Sequence, residues 1–150
     1  MDFSFFAVIA LFLLLDNTGF GVMALAACAV HELAHMFVMA MFGIFADEIT
    51  FYGAGIRITS ARTEFAKPAV KVLVLSAGCA VNFISAVLFY HLGFLSASAV
   101  SMFTGAFNLL PIGELDGAGL LKIALIRFGK PENVDRILSV TGAAVSLICI

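Results

Sequence analysis

The chain has 150 residues, of which 63% are hydrophobic and 12% are charged, and its formal net charge is −2. Soluble domains carry about 25% charged residues, so this composition excludes an ordinary soluble protein and predicts one integral membrane domain over residues 1–150. The charges are scattered between apolar segments, which excludes a nucleic-acid footprint and a polybasic lipid-binding tail. We therefore expect no nucleic acid among the partners.

Apolar runs divide the chain into predicted helices, and they cover residues 3–15, 20–45, 66–90, 94–110 and 137–150. A helix needs about 20 residues to cross the hydrocarbon core, so the second and third runs are long enough outright. The first run lacks the basic stretch and cleavage site of a signal peptide, so we expect it to be retained as a short helix. The last run stops within apolar sequence at Ile150, which leaves open whether the domain continues.

One segment between the second and third runs does not have a helical pattern. In DEITFYGAGIRITSA, residues 47–61, apolar residues alternate on both sides of a YGAG turn, which predicts a short β-hairpin. Open strand edges are not tolerated against lipid, so we expect the hairpin at the cytoplasmic interface or along a protein cavity. The predicted fold is an all-α, polytopic membrane bundle of about four to five transmembrane helices, with this hairpin between the second and third.

The Lys and Arg residues predict how the chain is oriented in the membrane. They fall into two clusters, at residues 57–71 and 122–136. If successive helices alternate in direction, both clusters lie on the same side as the N-terminus. The positive-inside rule assigns that side to the cytoplasm, so we expect a multi-pass protein with a cytoplasmic N-terminus.

The second run contains the motif HELAH at residues 31–35. On a helix, His31 and His35 project from one face a single turn apart, close enough to bind one metal ion. This is the HExxH geometry, in which two neutral imidazoles bind zinc and the Glu takes a proton from the attacking water. An acid in a spanning helix costs about 3 kcal/mol, which a dication beside Glu32 would offset. A metal site is therefore favoured over a structural polar cluster held by hydrogen bonds.

A catalytic zinc site normally has three protein ligands, so the rest of the chain should supply one more. The candidates are His91, Glu64, Glu114 and Asp116. His91 falls on the outer side in the predicted topology, where a lone His at a helix end is typical of an interfacial residue. The segment FNLLPIGELDGAGLL, residues 107–121, interrupts a helix at a depth similar to that of the histidines, and broken helices there line cavities or sites. Asp116 would complete a His, His, Asp set, with Glu114 as the alternative.

Three motifs together resemble the site-2 protease family of intramembrane zinc metalloproteases, and in particular its compact branch, which includes a sporulation protease that processes a sigma-factor precursor. They are HELAH at 31–35, AGCAVNF at 77–83, similar to the family's Gly-Pro-x-x-Asn segment, and NLLPIGELDG at 108–117, similar to its Asn-x-x-Pro…Leu-Asp-Gly segment. Their order, their spacing and the predicted hairpin fit the family. Cys79 stands where the family has Pro, and Glu114 takes the place of a frequent second Pro.

The resemblance implies a zinc-dependent endopeptidase that cleaves membrane-associated substrates in or near a transmembrane segment, on the cytoplasmic side. One Zn²⁺ would be bound by His31, His35 and Asp116, with Glu32 as general base and Asn82 near the substrate or the developing oxyanion. The implied partners are a membrane protein substrate, the lipid bilayer and separate regulatory membrane proteins. The implied location is the plasma membrane of a prokaryote.

Two alternative functions are compatible with the same motifs. Some zinc transporters also carry His-Glu-x-x-His on one membrane helix, but they usually show further His or Asp residues along a path, and this chain has three His. A catalytically silent protease relative would act as a membrane binding partner, but here the base Glu32 is intact. Within the site, Asp116 is preferred over Glu114 because Gly117 after it matches the family motif.

Overall fold

The computed structural model of the protein describes residue 10 and residues 14–45, 48–52, 55–59, 66–113 and 115–128. Its elements in chain order are helix α1 (Phe20–Met41), strands β1 (Glu48–Tyr52) and β2 (Gly55–Thr59), and helices α2 (Pro68–His91), α3 (Leu95–Asn108) and α4 (Asp116–Phe128). Most of the predicted helix at 3–15, and all of that at 137–150, lie outside the described residues. The predicted helical fold is therefore confirmed for the described part, and the number of membrane crossings stays a prediction.

Among the described helices, α1 and α2 are long and apolar enough to cross a membrane. Their 22 and 24 residues correspond to about 33 and 36 Å, against about 30 Å for the hydrocarbon core. The 14 residues of α3 reach only about 21 Å, so this helix is shorter than a standard spanning helix.

Several polar side chains lie inside the bundle, and many large apolar side chains lie on its outer surface. The buried polar residues are His31, His35, Asn82 and Ser101. By contrast, Leu33 and Phe37 of α1 and Ile84 of α2 are 61 to 67% exposed. Soluble proteins show the opposite arrangement, so this distribution supports lipid around α1 and α2.

Strands β1 and β2 connect α1 to α2, within the segment where the sequence predicts a hairpin. They pair antiparallel, with Ile49 opposite Ile58 and Phe51 opposite Ile56.

The helical break predicted within 107–121 separates two helices, because α3 ends at Asn108 and α4 begins at Asp116. Pro111 in the connection has no backbone N–H to donate, and Gly113 has a φ of 54°, which favours glycine. Helix α4 itself was not predicted from the apolar runs, since it carries Lys122 and Arg127 among its apolar residues.

Helix α2 is the centre of the bundle, because it packs against α1, α3 and α4. Small residues allow these close approaches: a Cβ added to Gly105 of α3 would lie 3.1 Å from Phe83 Cε1 and 3.2 Å from Asn82 Cβ. At the other end of the bundle, Met39, Ile44 and Val74 form an apolar cluster. The first contact holds α3 against α2, and the apolar cluster holds the end of α1 against the start of α2.

The start of α1 is anchored by Asp16. Its carboxylate accepts hydrogen bonds from the Thr18 hydroxyl at 2.6 Å, from the Thr18 amide at 3.0 Å, and from the Gly21 amide in the first helical turn. These hydrogen bonds lower the pKa of the Asp16 carboxyl, and the bond from the Thr18 hydroxyl has the largest effect. The helix that carries HELAH therefore begins with one of its free amides satisfied.

Candidate metal centre

Helix α1 directs both histidines of HELAH into the bundle. His31 is 3% exposed and His35 is 8% exposed, whereas Leu33 between them faces outward. Their rings meet edge to face, with centroids 4.6 Å apart. The i, i+4 spacing thus places two imidazoles side by side against α2.

Asp116, the first residue of α4, completes a compact cluster with the two histidines. Its Oδ2 lies 3.0 Å from His31 Nε2 and 3.1 Å from His35 Nε2, and the two Nε2 atoms are 3.0 Å apart. Zinc bonds of about 2.0 to 2.1 Å in a tetrahedral site would separate neighbouring ligand atoms by about 3.3 Å. Among the described residues, these three form the group of His, Cys, Asp and Glu side chains that could hold a metal ion.

A hydrogen bond on the outer side of the His35 ring determines which of its two nitrogens carries the proton. Nδ1 of His35 lies 2.7 Å from the backbone carbonyl oxygen of Val74. A carbonyl only accepts hydrogen bonds, so Nδ1 carries the proton and Nε2 of the neutral ring presents its lone pair to the cluster. This is the tautomer that a metal ligand requires.

Gly78 of α2 provides the space that the two imidazoles occupy. A Cβ at this position would lie 2.5 Å from His35 Nε2 and 2.6 Å from His31 Nε2. Any side chain would therefore overlap the nitrogens that face the cluster. The bare α-carbon, the two imidazoles and the carboxylate together fit a small divalent cation such as zinc.

Asp116 is held by the close packing of the residue after it. A Cβ on Gly117 would overlap the carbonyl oxygen of Leu109 and would lie 2.8 Å from that of Leu110. Both atoms belong to the backbone and cannot rotate away. The start of α4 is thus locked against the end of α3 by a residue that must lack a side chain.

Substituting Gly117 by Ala is expected to displace Asp116 and weaken zinc binding by at least about fivefold, because overpacking against backbone costs about 1 to 3 kcal/mol or more. Titration of the purified, metal-free protein with Zn²⁺ measures this effect. Wild-type affinity in Gly117→Ala would contradict the packing of α4 described above.

Of the remaining candidate ligands, only His91 lies in the described part of the chain, and it does not join the cluster. Asp116 touches both histidines, whereas Glu64 and Glu114 lie outside the described residues, so the preference for Asp116 over Glu114 stays a prediction. His91 is exposed at the C-terminal end of α2. Glu32 is partly buried beside the cluster and interacts electrostatically with both histidines and Asp116.

Two side chains of α2 contact the cluster in ways the sequence does not indicate. Asn82 has no exposed surface, and its amide lies 3.2 Å from Nδ1 of His31, the nitrogen turned away from Asp116. The thiol of Cys79 donates to Asp116 Oδ2 at 3.7 Å. The sequence marks Cys79 only as a departure from the family motif, although its separation from Asn82 by three residues would have placed both on one face.

Together the fold and the site define a class: a helical bundle with an apolar exterior and a buried His, His, Asp group suited to a metal ion. The structure is similar to that of the site-2 protease from Methanocaldococcus jannaschii, with a TM-score of 0.68. The two sequences are 22% identical, and the match covers 96% of this chain and 73% of that one. The resemblance seen in the sequence is thus confirmed as a shared fold. No protein-family model and no curated protein matches the sequence.

Proposed function

We propose that the chain belongs to the site-2 protease family and acts as a zinc-dependent intramembrane endopeptidase. The observation that carries this proposal is the buried triangle of two imidazole nitrogens and one carboxylate oxygen, with sides of 3.0 to 3.1 Å. The fold shared with a site-2 protease supports it independently. The proposal includes a bundle of four to five transmembrane helices, a cytoplasmic N-terminus and the plasma membrane of a prokaryote.

His31, His35 and Asp116 would hold one Zn²⁺. When bound, this ion supplies Lewis-acid chemistry: it polarises a peptide carbonyl and lowers the pKa of water towards about 7. The carboxylate of Asp116 offsets one of the two positive charges, and the buried imidazoles stay neutral as ligands. The polar residues of α1 would therefore have a charge partner inside the membrane.

Glu32 performs the proton transfer. It lies one residue after His31 and is only partly buried. Its carboxylate therefore lies beside the cluster but is not among the three groups that could bind the metal, which belong to His31, His35 and Asp116. In the proposed reaction it takes a proton from the attacking water and delivers it to the amine that leaves when the peptide bond breaks. We infer that water and substrate reach Glu32 from the cytoplasmic side, where the α3 to α4 connection interrupts the helices.

Removal of the metal tests the proposed function. The purified full chain in detergent should contain about one zinc per molecule and should cleave at least one member of a panel of single-span membrane proteins. A strong zinc chelator should abolish cleavage, and added Zn²⁺ should restore it. The readouts are metal content by mass spectrometry and cleavage products on gels.

Two variants make this test specific to the cluster. His35→Ala should lose both zinc and cleavage, because it removes one ligand from the triangle, whereas His91→Ala should keep both, because His91 is exposed at the end of α2. Full zinc content in His35→Ala, or cleavage by metal-free wild type, would overturn the assignment.

A further inference from the structure

Three residues of α2, spaced four apart, face the HELAH motif, and their spacing matches that of the two histidines. Val74 offers its carbonyl to His35, Gly78 leaves space for both rings, and Asn82 contacts His31. Because α1 and α2 run antiparallel here, each histidine has its own partner behind it. Asn82 therefore occupies, for His31, the place that the Val74 carbonyl occupies for His35.

The oxygen and the nitrogen of the Asn82 side-chain amide are nearly the same in size, so hydrogen bonds determine which of them faces His31. If the amide nitrogen donates to Nδ1, the neutral ring of His31 must carry its proton on Nε2, which blocks metal binding. In that orientation Oδ1 of Asn82 is also buried without a hydrogen-bond partner among the described residues. A buried polar atom of this kind costs about 1 to 3 kcal/mol.

The opposite orientation removes the conflict with metal binding. Oδ1 then accepts the Nδ1–H of His31, and Nε2 keeps its lone pair directed at His35 Nε2 and Asp116 Oδ2. Asn82 also lines a cavity of about 150 Å³, together with Ser85 and Ser101. Such a cavity has room for a water, which is the acceptor that the amide N–H groups would need in this orientation.

We propose that Asn82 is a positioning residue, whose Oδ1 accepts a hydrogen bond from Nδ1–H of His31 and so keeps Nε2 of His31 available to the metal. This inference rests on the proposed function, since it concerns the same zinc site. It replaces the role near the substrate or the oxyanion that the resemblance implies. Asn82 has no exposed surface and contacts the edge of the imidazole that faces away from Asp116, so it acts through His31.

Two substitutions separate the hydrogen bond from the volume of the side chain. Asn82→Leu keeps a similar volume but has no acceptor, and it should weaken Zn²⁺ binding about 10- to 100-fold. Asn82→Asp keeps the acceptor and should bind Zn²⁺ within about threefold of wild type. Ser101→Ala, which changes another buried polar residue on the same cavity, should leave the affinity unchanged.

The experiment measures zinc affinity by competition with a chromophoric chelator, using the metal-free full chain, and records the d–d absorption of the Co²⁺ form. The Co²⁺ spectrum should change in Asn82→Leu and be retained in Asn82→Asp. Wild-type affinity and spectrum in Asn82→Leu would overturn the inference and leave the proposed function intact. A loss of about tenfold or more in Asn82→Asp would also overturn it, and this result alone decides if Asn82→Leu does not fold. Wild type without zinc affinity would overturn both proposals.

Discussion

Substituting Glu32 by Gln is expected to lower the cleavage rate strongly while zinc content stays near one ion per chain. Gln has the size of Glu but cannot take up a proton, so the water would lose its general base. General bases contribute about 10²- to 10⁴-fold to a rate, which sets the expected loss. Zinc should be retained because the triangle of ligand atoms comes from His31, His35 and Asp116. The measurement is initial cleavage rate alongside metal content, at equal protein concentration.

Glu114→Gln is the matched control, since it makes the same change at the acid that the sequence offers as an alternative ligand. It should keep both zinc and cleavage. Unchanged cleavage in Glu32→Gln with zinc retained would contradict the protease assignment. Zinc uptake into vesicles by wild type, in that case, would favour the transporter alternative over a catalytically silent relative.

The two long helices could be predicted from the sequence because their length and hydropathy are local properties. Runs at 20–45 and 66–90 correspond to α1 and α2 within a few residues at each end. Helix α4 was missed because its 13 residues include two basic side chains and it is too short to give a membrane signal. Its start is set by contacts of Gly117 with the end of α3, and no local pattern contains that information.

The candidate site divides in the same way. The i, i+4 spacing of HELAH determines that His31 and His35 share a face, so this half could be deduced from five residues. Asp116 lies 81 residues after His35, and spacing alone could not separate it from Glu114. The partner of His35 could not be predicted at all, because it is a backbone carbonyl, which every residue has.

Substituting Gly78 by Ala is expected to weaken zinc binding about 5- to 150-fold, the equivalent of about 1 to 3 kcal/mol of overpacking. The added Cβ would overlap Nε2 of both histidines. Neither ring can withdraw freely, because His35 is hydrogen-bonded to Val74 and His31 contacts Asn82. Ala also favours a helix over Gly by up to about 1 kcal/mol, so α2 itself should not be weakened. Zinc titration and the helical content by circular dichroism measure the two effects separately.

Gly119→Ala provides the same gain in helix propensity without the overlap at the metal site. Its Cβ would meet Leu75 Cδ1 at 2.9 Å, the end of a flexible side chain that can rotate away. Zinc affinity should therefore stay near that of wild type in Gly119→Ala and fall only in Gly78→Ala. Equal affinities in the two variants would mean that the imidazoles do not both rest on α2 at Gly78. That result would contradict the role given to Gly78, whose bare α-carbon leaves the space in which both Nε2 atoms approach Asp116.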